Sequence, residues 1–416
     1  MNSGSMKSVR GRRKIHVSEL QVGMYVAELD RDWLGTPFLL QGFTVQSRAD
    51  VETVQKYCEH VWIEATDVVF TSQPVREGIK PARQSQPRYV NKVSTATEHR
   101  QAFGIHHQAR SITKSLLDEV RLGAAVNTEQ ARETVSGCVQ SILRNADAML
   151  WMTRIRNEDE YTAEHCLNVC VLAIAFGRHL GMDEGDLHKI GLCGLLHDVG
   201  KMKIAPEVLN KREKLTDKEF KMIKAHTVHG RNLLMASSNK DSYLGMVDVA
   251  YSHHERLDGT GYPRKLKASG ISTFARIIAI VDAYDAMTTK RCYENARPST
   301  EALKEIYRCR GTHFDEELAE RFTEMVGLYP PGSIVELRNG QVGIVFDTNQ
   351  KYRHLPKVLV VRDENKQPCP ERVVALADTE KGTLDKTHLI QRVITDGTHG
   401  VTLQEYREKG LQISFN

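Results

Sequence analysis

Between Gly194 and Asp282 this chain places histidines and aspartates where an apolar core has no use for them. His197-Asp198 closes an apolar stretch in GLLHDVGK, and His226 lies in KAHTVHG. His253-His254 opens YSHHERLDGTGYP, and Asp282 interrupts IIAIVDAYDAM. An ionised carboxylate buried without a partner costs several kcal/mol. A set of imidazoles and carboxylates in such surroundings has to be offset by something cationic, and a divalent metal does so most economically. The fold is constrained accordingly: the segments that carry these groups must share a site.

His197 and Asp198 are neighbours on an expected helix and diverge by about 100°. They serve two ions more easily than they clamp one, with His197 on one metal and the two oxygens of Asp198 between both. His253-His254 follows the same logic. Asp282 alone could equally pair with a buried Arg or Lys; beside the other sites it reads as a ligand. His165, in YTAEHCLNVCVLAIAF, reads on its own as a satisfied core histidine. His226 and His229 are three apart on one helix and compete for one role. His179, His188 and His313 read as surface or packing residues, and Cys166 and Cys170 as core. Lys201 is either a solvated lysine or a phosphate-steadying cation; its apolar-flanked turn favours the second. In DGTGYP, Gly259 and Gly261 allow close approach to a ligand and Pro263 stiffens the exit. The alternative is a helix-ending turn that packs Tyr262 on the bundle.

The expected architecture is mainly α, with a helical bundle between two small units. Residues 1–75 read as an α+β domain: strands at KIHVSEL, GMYVAEL and VWIEA and a helix at ADVETVQKYC. Residues 76–105 are polar and proline-containing and read as a linker. Connecting helices over 106–150 show apolar faces at Ile112, Leu116, Leu117 and Val120 and at Val135, Val139, Ile142, Leu143 and Leu150. These faces can pack on the core or against a second copy as a homodimer. Residues 151–330 read as consecutive helices. Residues 331–416 read as a β appendage with a hairpin at Asn339-Gly340, a third strand at KVLVVRD and an undefined tail.

Composition narrows the partners. The 416 residues carry a net charge of only +4, from 57 basic and 53 acidic residues, which argues against a DNA or RNA polymer and against a polybasic membrane anchor. The longest apolar run, LNVCVLAIAF, is about half a membrane span. The basic N-terminus lacks the apolar stretch of a secretory signal. The eight scattered cysteines contain no CxxC and suit a reducing cytoplasm.

These residues carry a resemblance. HDVGK at His197–Lys201 and HHERLDGTGYP at His253–Pro263 resemble the HD-GYP family of cyclic dinucleotide phosphodiesterases, from about Tyr161 to Val326. The first 70 or so residues resemble the small domain often found ahead of such modules. The likeness implies an HD-type bundle and the metal ligands His165, His197, Asp198, His226, His253, His254 and Asp282, which demotes His229. It implies Lys201, Gly261, Tyr262 and Arg291 at the substrate, with Asp198 and Lys201 catalytic. Some members carry a glutamate for a third metal where this chain has Tyr161, with Glu160 one residue off. The expectation here is therefore two divalent ions, iron or manganese by family habit. Members with an RPYK-like string have a lysine where this chain has Glu294, which removes one phosphate-binding cation. The implied reaction is hydrolysis of cyclic di-GMP to pGpG or GMP by a hydroxide that two metals activate. The alternatives are a preference for 3',3'-cyclic GMP-AMP and a catalytically weak receptor. An HD-type hydrolase of mononucleotides would not need the GYP loop.

Overall fold

A computed structural model describes residues 12–22, 24–31, 43–45, 48–64, 89–154, 161–211, 213–237, 245–289, 296–349 and 352–408. The chain divides into two compact units, residues 1–86 and 87–416. In the first, β1 (Arg12–His16), β2 (Tyr25–Leu29), β3 (Phe43–Thr44) and β4 (His60–Glu64) form an antiparallel sheet of order β1-β4-β2-β3. The helix α1 (Arg48–Tyr57) belongs to the same unit, and Val54 on it is fully buried with Ile15, Val26 and Val61 of the strands. The strand Phe43–Thr44 was not legible in the sequence because two residues show no alternation.

The second unit begins earlier than the polar composition of 76–105 suggests. Ser94 caps α2 (Thr95–Arg121), accepting from the Thr97 N–H, so the last part of the expected linker is helical. Its polar letters are deceptive because Glu98 is buried in a bidentate pair with Arg144, at 2.7 and 2.8 Å, and accepts from Ser141 at 2.8 Å. These partners lie on α3 (Thr128–Arg144), which is followed by α4 (Ala146–Met152). Leu116, Leu117 and Val120 on α2 and Val135, Val139 and Ile142 on α3 are buried in this chain's own core. Much of these faces packs on this chain's own bundle.

The bundle continues through α5 (Tyr161–His179), α6 (Glu184–Leu196), a 3-10 turn (Val199–Lys203), α7 (Pro206–Leu209), α8 (Asp217–Lys224), α9 (His226–Ser237), α10 (Gly245–Ser252), α11 (Thr273–Thr288), α12 (Ser299–Arg308) and α13 (Glu316–Val326). Among the described residues no helix is long and apolar enough to cross a membrane.

The C-terminal sheet has five antiparallel strands: β5 (Ile334–Leu337), β6 (Val342–Asp347), β7 (Lys357–Arg362), β8 (Pro368–Ala375) and β9 (Ile390–Ile394), in the order β8-β7-β6-β5-β9. The turn at Asn339-Gly340 joins β5 to β6 as the sequence suggests. The segment expected as an undefined tail instead supplies β9, which pairs with β5, and α14 (Leu403–Glu408), which buries Leu403 and Tyr406. The sheet is more than an appendage. Alternate residues face opposite sides: Ile344, Phe346, Leu359 and Val361 join the bundle core, while Val345, Val358 and Val360 form a second core behind them.

The join carries an acidic group. Asp147 on α4 is buried and accepts from the Thr348 N–H at 3.1 Å and the Thr348 hydroxyl at 2.8 Å. Burial and the neighbouring Asp347 carboxyl push Asp147 up to about 7. The raised value means that folding favours the protonated form. The associated stability is therefore full at pH 4 and lost as pH rises through 7. Asp147→Asn mimics the protonated state, since its amide can donate toward Asp347 and accept from Thr348. Thermal unfolding from pH 4.5 to 8 should show the unchanged protein losing stability relative to this variant as pH rises. Parallel curves would refute the assignment.

Candidate metal centre

Backbone contacts bring the donor-bearing segments together. Gly194 of α6 lies against α5 so closely that a Cβ there would sit 2.8 Å from the Cys170 Cα. Gly200, in the 3-10 turn, lies against the start of α9: a Cβ there would be 1.9 Å from the His226 carbonyl oxygen and 2.4 Å from the Gly230 nitrogen. The first contact sets His165 beside His197. The second sets Asp198 beside His226. Residues 253 and 254 follow the end of α10, and Asp282 comes from α11.

The seven side chains expected as ligands converge. The Nε2 atoms of His165 and His197 lie 3.4 and 3.3 Å from Asp198 Oδ2, and His165 Nε2 is 3.1 Å from Asp282 Oδ1. The other oxygen of Asp198, Oδ1, lies 3.3 Å from His226 Nε2 and 3.7 Å from His253 Nε2. His254 Nδ1 is 3.9 Å from Asp282 Oδ2. Two donor groups result: Asp198, His226, His253 and His254 form one, and His165, His197 and Asp282 the other, with the donor atoms of each within 4.8 Å of one another. Asp198 turns one oxygen to each group. His165, His197, Asp198, His226 and His253 are almost wholly buried; the Asp282 and His254 side chains keep 13 % and 27 % exposure and mark the open side.

Hydrogen bonds behind the rings settle what this cluster can bind. The Nδ1–H of His197 donates to the Gly194 carbonyl at 2.7 Å, that of His226 to Ile223 at 2.7 Å, and that of His253 to Val249 at 3.1 Å. The Nδ1–H of His165 donates to Asp285 at 2.7 Å. Each inward Nε2 of a neutral ring is then an acceptor. His226 Nε2 and His253 Nε2 face each other at 3.3 Å, and both face a carboxylate. Burial drives His226 down to about 4 and His254 to about 3, and carries His253 well below the usual imidazole range, so these rings are neutral. Burial alone would raise Asp198 and Asp282. Lys201 and His197 outweigh it at Asp198, and His165 does so at Asp282, so both carboxyls are held well below the ordinary range. His197 Nε2 and Asp198 Oδ1 are buried with no hydrogen-bond partner. At His226, His253 and Asp198 Oδ1, lone pairs face lone pairs in a buried site, an arrangement that suits a divalent cation. Cys166 lies outside both groups, and burial raises its thiol to about 12.

The Pseudomonas aeruginosa protein named cyclic di-GMP phosphodiesterase PA4108 is 34% identical over 374 residues, covering 88% of this chain and 89% of its own. This chain belongs to the HD-GYP family of cyclic dinucleotide phosphodiesterases. An HD domain model matches residues 142–318, and a model described as a domain of unknown function (DUF3391) matches 12–131. The Vibrio cholerae protein named 3'3'-cGAMP-specific phosphodiesterase 3 is 32% identical over 41% of this chain and 36% of its own. The solved structure of Bd1817, described as an HDG"Y"P protein from Bdellovibrio bacteriovorus, covers 76% of this chain and 99% of its own, at 15% identity and a TM-score of 0.47.

In this HD-GYP protein the remaining expected residues are placed as follows. The Lys201 ammonium pairs with Asp198 Oδ2. The Tyr262 ring lies against His254, with centroids 4.8 Å apart. Gly261 has a reason other than ligand approach: a Cβ there would lie 2.5 Å from the Glu255 Cα and 2.4 Å from the Arg256 nitrogen, so the loop needs glycine to fold on itself. Arg291 and Glu294 lie outside the described residues, as does the Tyr161 side chain.

Two contributors escaped the sequence reading. Glu255 is buried and holds the GYP loop, accepting from the N–H groups of Arg264 at 2.6 Å and Leu266 at 2.9 Å. Asp285, one turn after Asp282 on α11, orients His165 and accepts from Asn168 at 3.2 Å. The D-x-x-D spacing was its only signal. Asp285→Ala leaves the His165 ring without its outer anchor, and metal affinity should fall about 10–100-fold. Competitive chelator titration measures this; unchanged affinity would show that the bond is incidental.

Proposed function

We propose that this enzyme hydrolyses cyclic di-GMP to pGpG and/or GMP, with two divalent ions, iron or manganese, held by the seven converging side chains. The observation that carries the reading is the pair of buried donor groups, to each of which Asp198 turns one oxygen. The relative matched over most of its length is named for cyclic di-GMP, which supports that substrate. Five imidazoles and two carboxylates, with no thiolate, suit iron or manganese. We assign the catalysis to residues 151–330, flanked by the units at 1–75 and 331–416. The free thiols of the described cysteines support a cytoplasmic setting.

The ions supply the Lewis acidity that makes water nucleophilic near neutral pH and offsets the charge of a phosphodiester. The protein supplies the rest. Asp198, with one oxygen toward each donor group, ties the two halves of the site together. Lys201, poised on Asp198, brings a cation to where a phosphate oxygen gains charge. Tyr262 covers His254 and bounds the approach from the open side. Arg291 adds a planar fork for a phosphate.

A second reading, preference for 3',3'-cyclic GMP-AMP, is favoured by Glu294, which stands where related chains carry a lysine. Anaerobic loading with iron, manganese or zinc, followed by a panel of cyclic dinucleotides and mononucleotides with products resolved by chromatography, decides between them. The expected result is linear pGpG from cyclic di-GMP with iron or manganese. Turnover of cyclic GMP-AMP alone would select the second reading, and turnover of mononucleotides alone would remove both.

A further inference from the structure

On the rim beside Tyr262 lies a lysine that no expected role has absorbed. Lys224 ends α8, two residues before His226. Its ammonium stands 5.0 Å from the centroid of the Tyr262 ring and 4.4 Å from that of Phe220, four residues earlier on the same helix face. It therefore rests between two aromatic rings, one of which lies against His254. Among the described residues no carboxylate pairs with it. Lys201, by contrast, is paired with Asp198.

The helix that carries Lys224 is a rim element. α8 buries none of its residues and is tied at its start by the Thr216–Glu219 capping box. Phe220 is 47% exposed and Met222 42%. An exposed phenylalanine whose neighbour is a cation without a counter-charge has two recognition surfaces: a π-face and an ammonium. A base stacks on the first and a phosphate pairs with the second.

We propose that α8 forms a nucleotide subsite of the catalytic centre, in which Lys224 binds one phosphate of the cyclic dinucleotide and Phe220 stacks on one of its bases. The proposal rests on the reading of the site as a cyclic dinucleotide phosphodiesterase. That substrate brings two phosphates. Lys201, on Asp198, stands at the one undergoing hydrolysis, and Lys224 answers the other. The ring contacts with Phe220 and Tyr262 hold the ammonium beside the GYP loop. A phosphate, with full negative charge, outcompetes them.

The test compares the metal-loaded full chain with Lys224→Ala, Lys224→Arg and Phe220→Ala. Steady-state kinetics are measured on cyclic di-GMP and on bis(p-nitrophenyl) phosphate, a diester with one phosphate and no base, and metal content is measured on every sample. Lys224→Ala should raise KM for cyclic di-GMP about tenfold and leave the metal content equal. The effect on KM for the small diester should be at most about twofold. Lys224→Arg should recover most of the loss, and Phe220→Ala should raise KM for cyclic di-GMP alone. Equal KM values in Lys224→Ala and the unchanged protein would overturn the proposal while leaving the enzymatic reading intact. So would a proportional loss on both substrates with loss of metal, which marks a structural role. If the unchanged protein hydrolyses the small diester but no cyclic dinucleotide, the enzymatic reading fails and the subsite falls with it.

Discussion

Asp198→Ala should reduce kcat/KM for the cyclic dinucleotide about a thousandfold or more, the equivalent of about 4 kcal/mol of transition-state stabilisation. One carboxylate faces both donor groups, so its removal disconnects them. The variant should nevertheless fold. Asp198 is a buried charge amid neutral rings, and without ions its stabilising partner is Lys201, whose side chain is one-fifth exposed and can turn to water. The readout that separates lost chemistry from lost structure is thermal. Ions that bind only the native state raise the unfolding midpoint in proportion to their affinity. Manganese should raise it in the unchanged protein and have little effect on the variant, while the metal-free midpoints stay within a few degrees. Equal metal-induced shifts in both would show that Asp198 is not a ligand.

Gly200→Ala should be as damaging from a position that touches no ligand. The added methyl would meet the His226 carbonyl at 1.9 Å and the Gly230 nitrogen at 2.4 Å, and both are backbone atoms that cannot rotate aside. The 3-10 turn has to part from α9, which pulls Asp198 from His226 and opens the contact that builds the site. The expected cost is about 3 kcal/mol of stability, with metal content lost in parallel. Gly104→Ala is the control. Gly104 lies inside α2 with nothing within 4 Å of the added carbon, so that change should stabilise by about 0.5–1 kcal/mol. Urea unfolding midpoints for the three proteins decide the matter; a Gly200→Ala midpoint near that of the unchanged protein would mean the turn has slack that the structure does not show.

What could be read in advance follows from the range of the interactions. His197, Asp198, His253, His254 and Asp282 were visible because polar groups at the ends of apolar stretches break a local pattern. His165 breaks none: it sits in a helix that reads as core, and its partners Asp198 and Asp282 come from distant segments. Only the family likeness separated it from a packing histidine, and likewise separated His226 from His229. Asp285 was invisible for the same reason, since the ring it anchors lies 120 residues away. Gly261 was seen as a glycine that permits close approach, but the backbone atoms of Glu255 and Arg256 that also require it were not visible in the sequence. The start of α2 was mistaken for linker because a glutamate counts as polar until its arginine is known.

Three of the converging imidazoles are anchored to carbonyls three or four residues earlier in their own segments: His197 to Gly194, His226 to Ile223, and His253 to Val249. Their aim is therefore set by local winding and does not wait for an ion. The donor atoms are preset by the fold, so little of a ligand's binding free energy would go into ordering the chain. On the proposed reading of these side chains as metal ligands, one divalent ion can replace another without rewinding the segments that carry them.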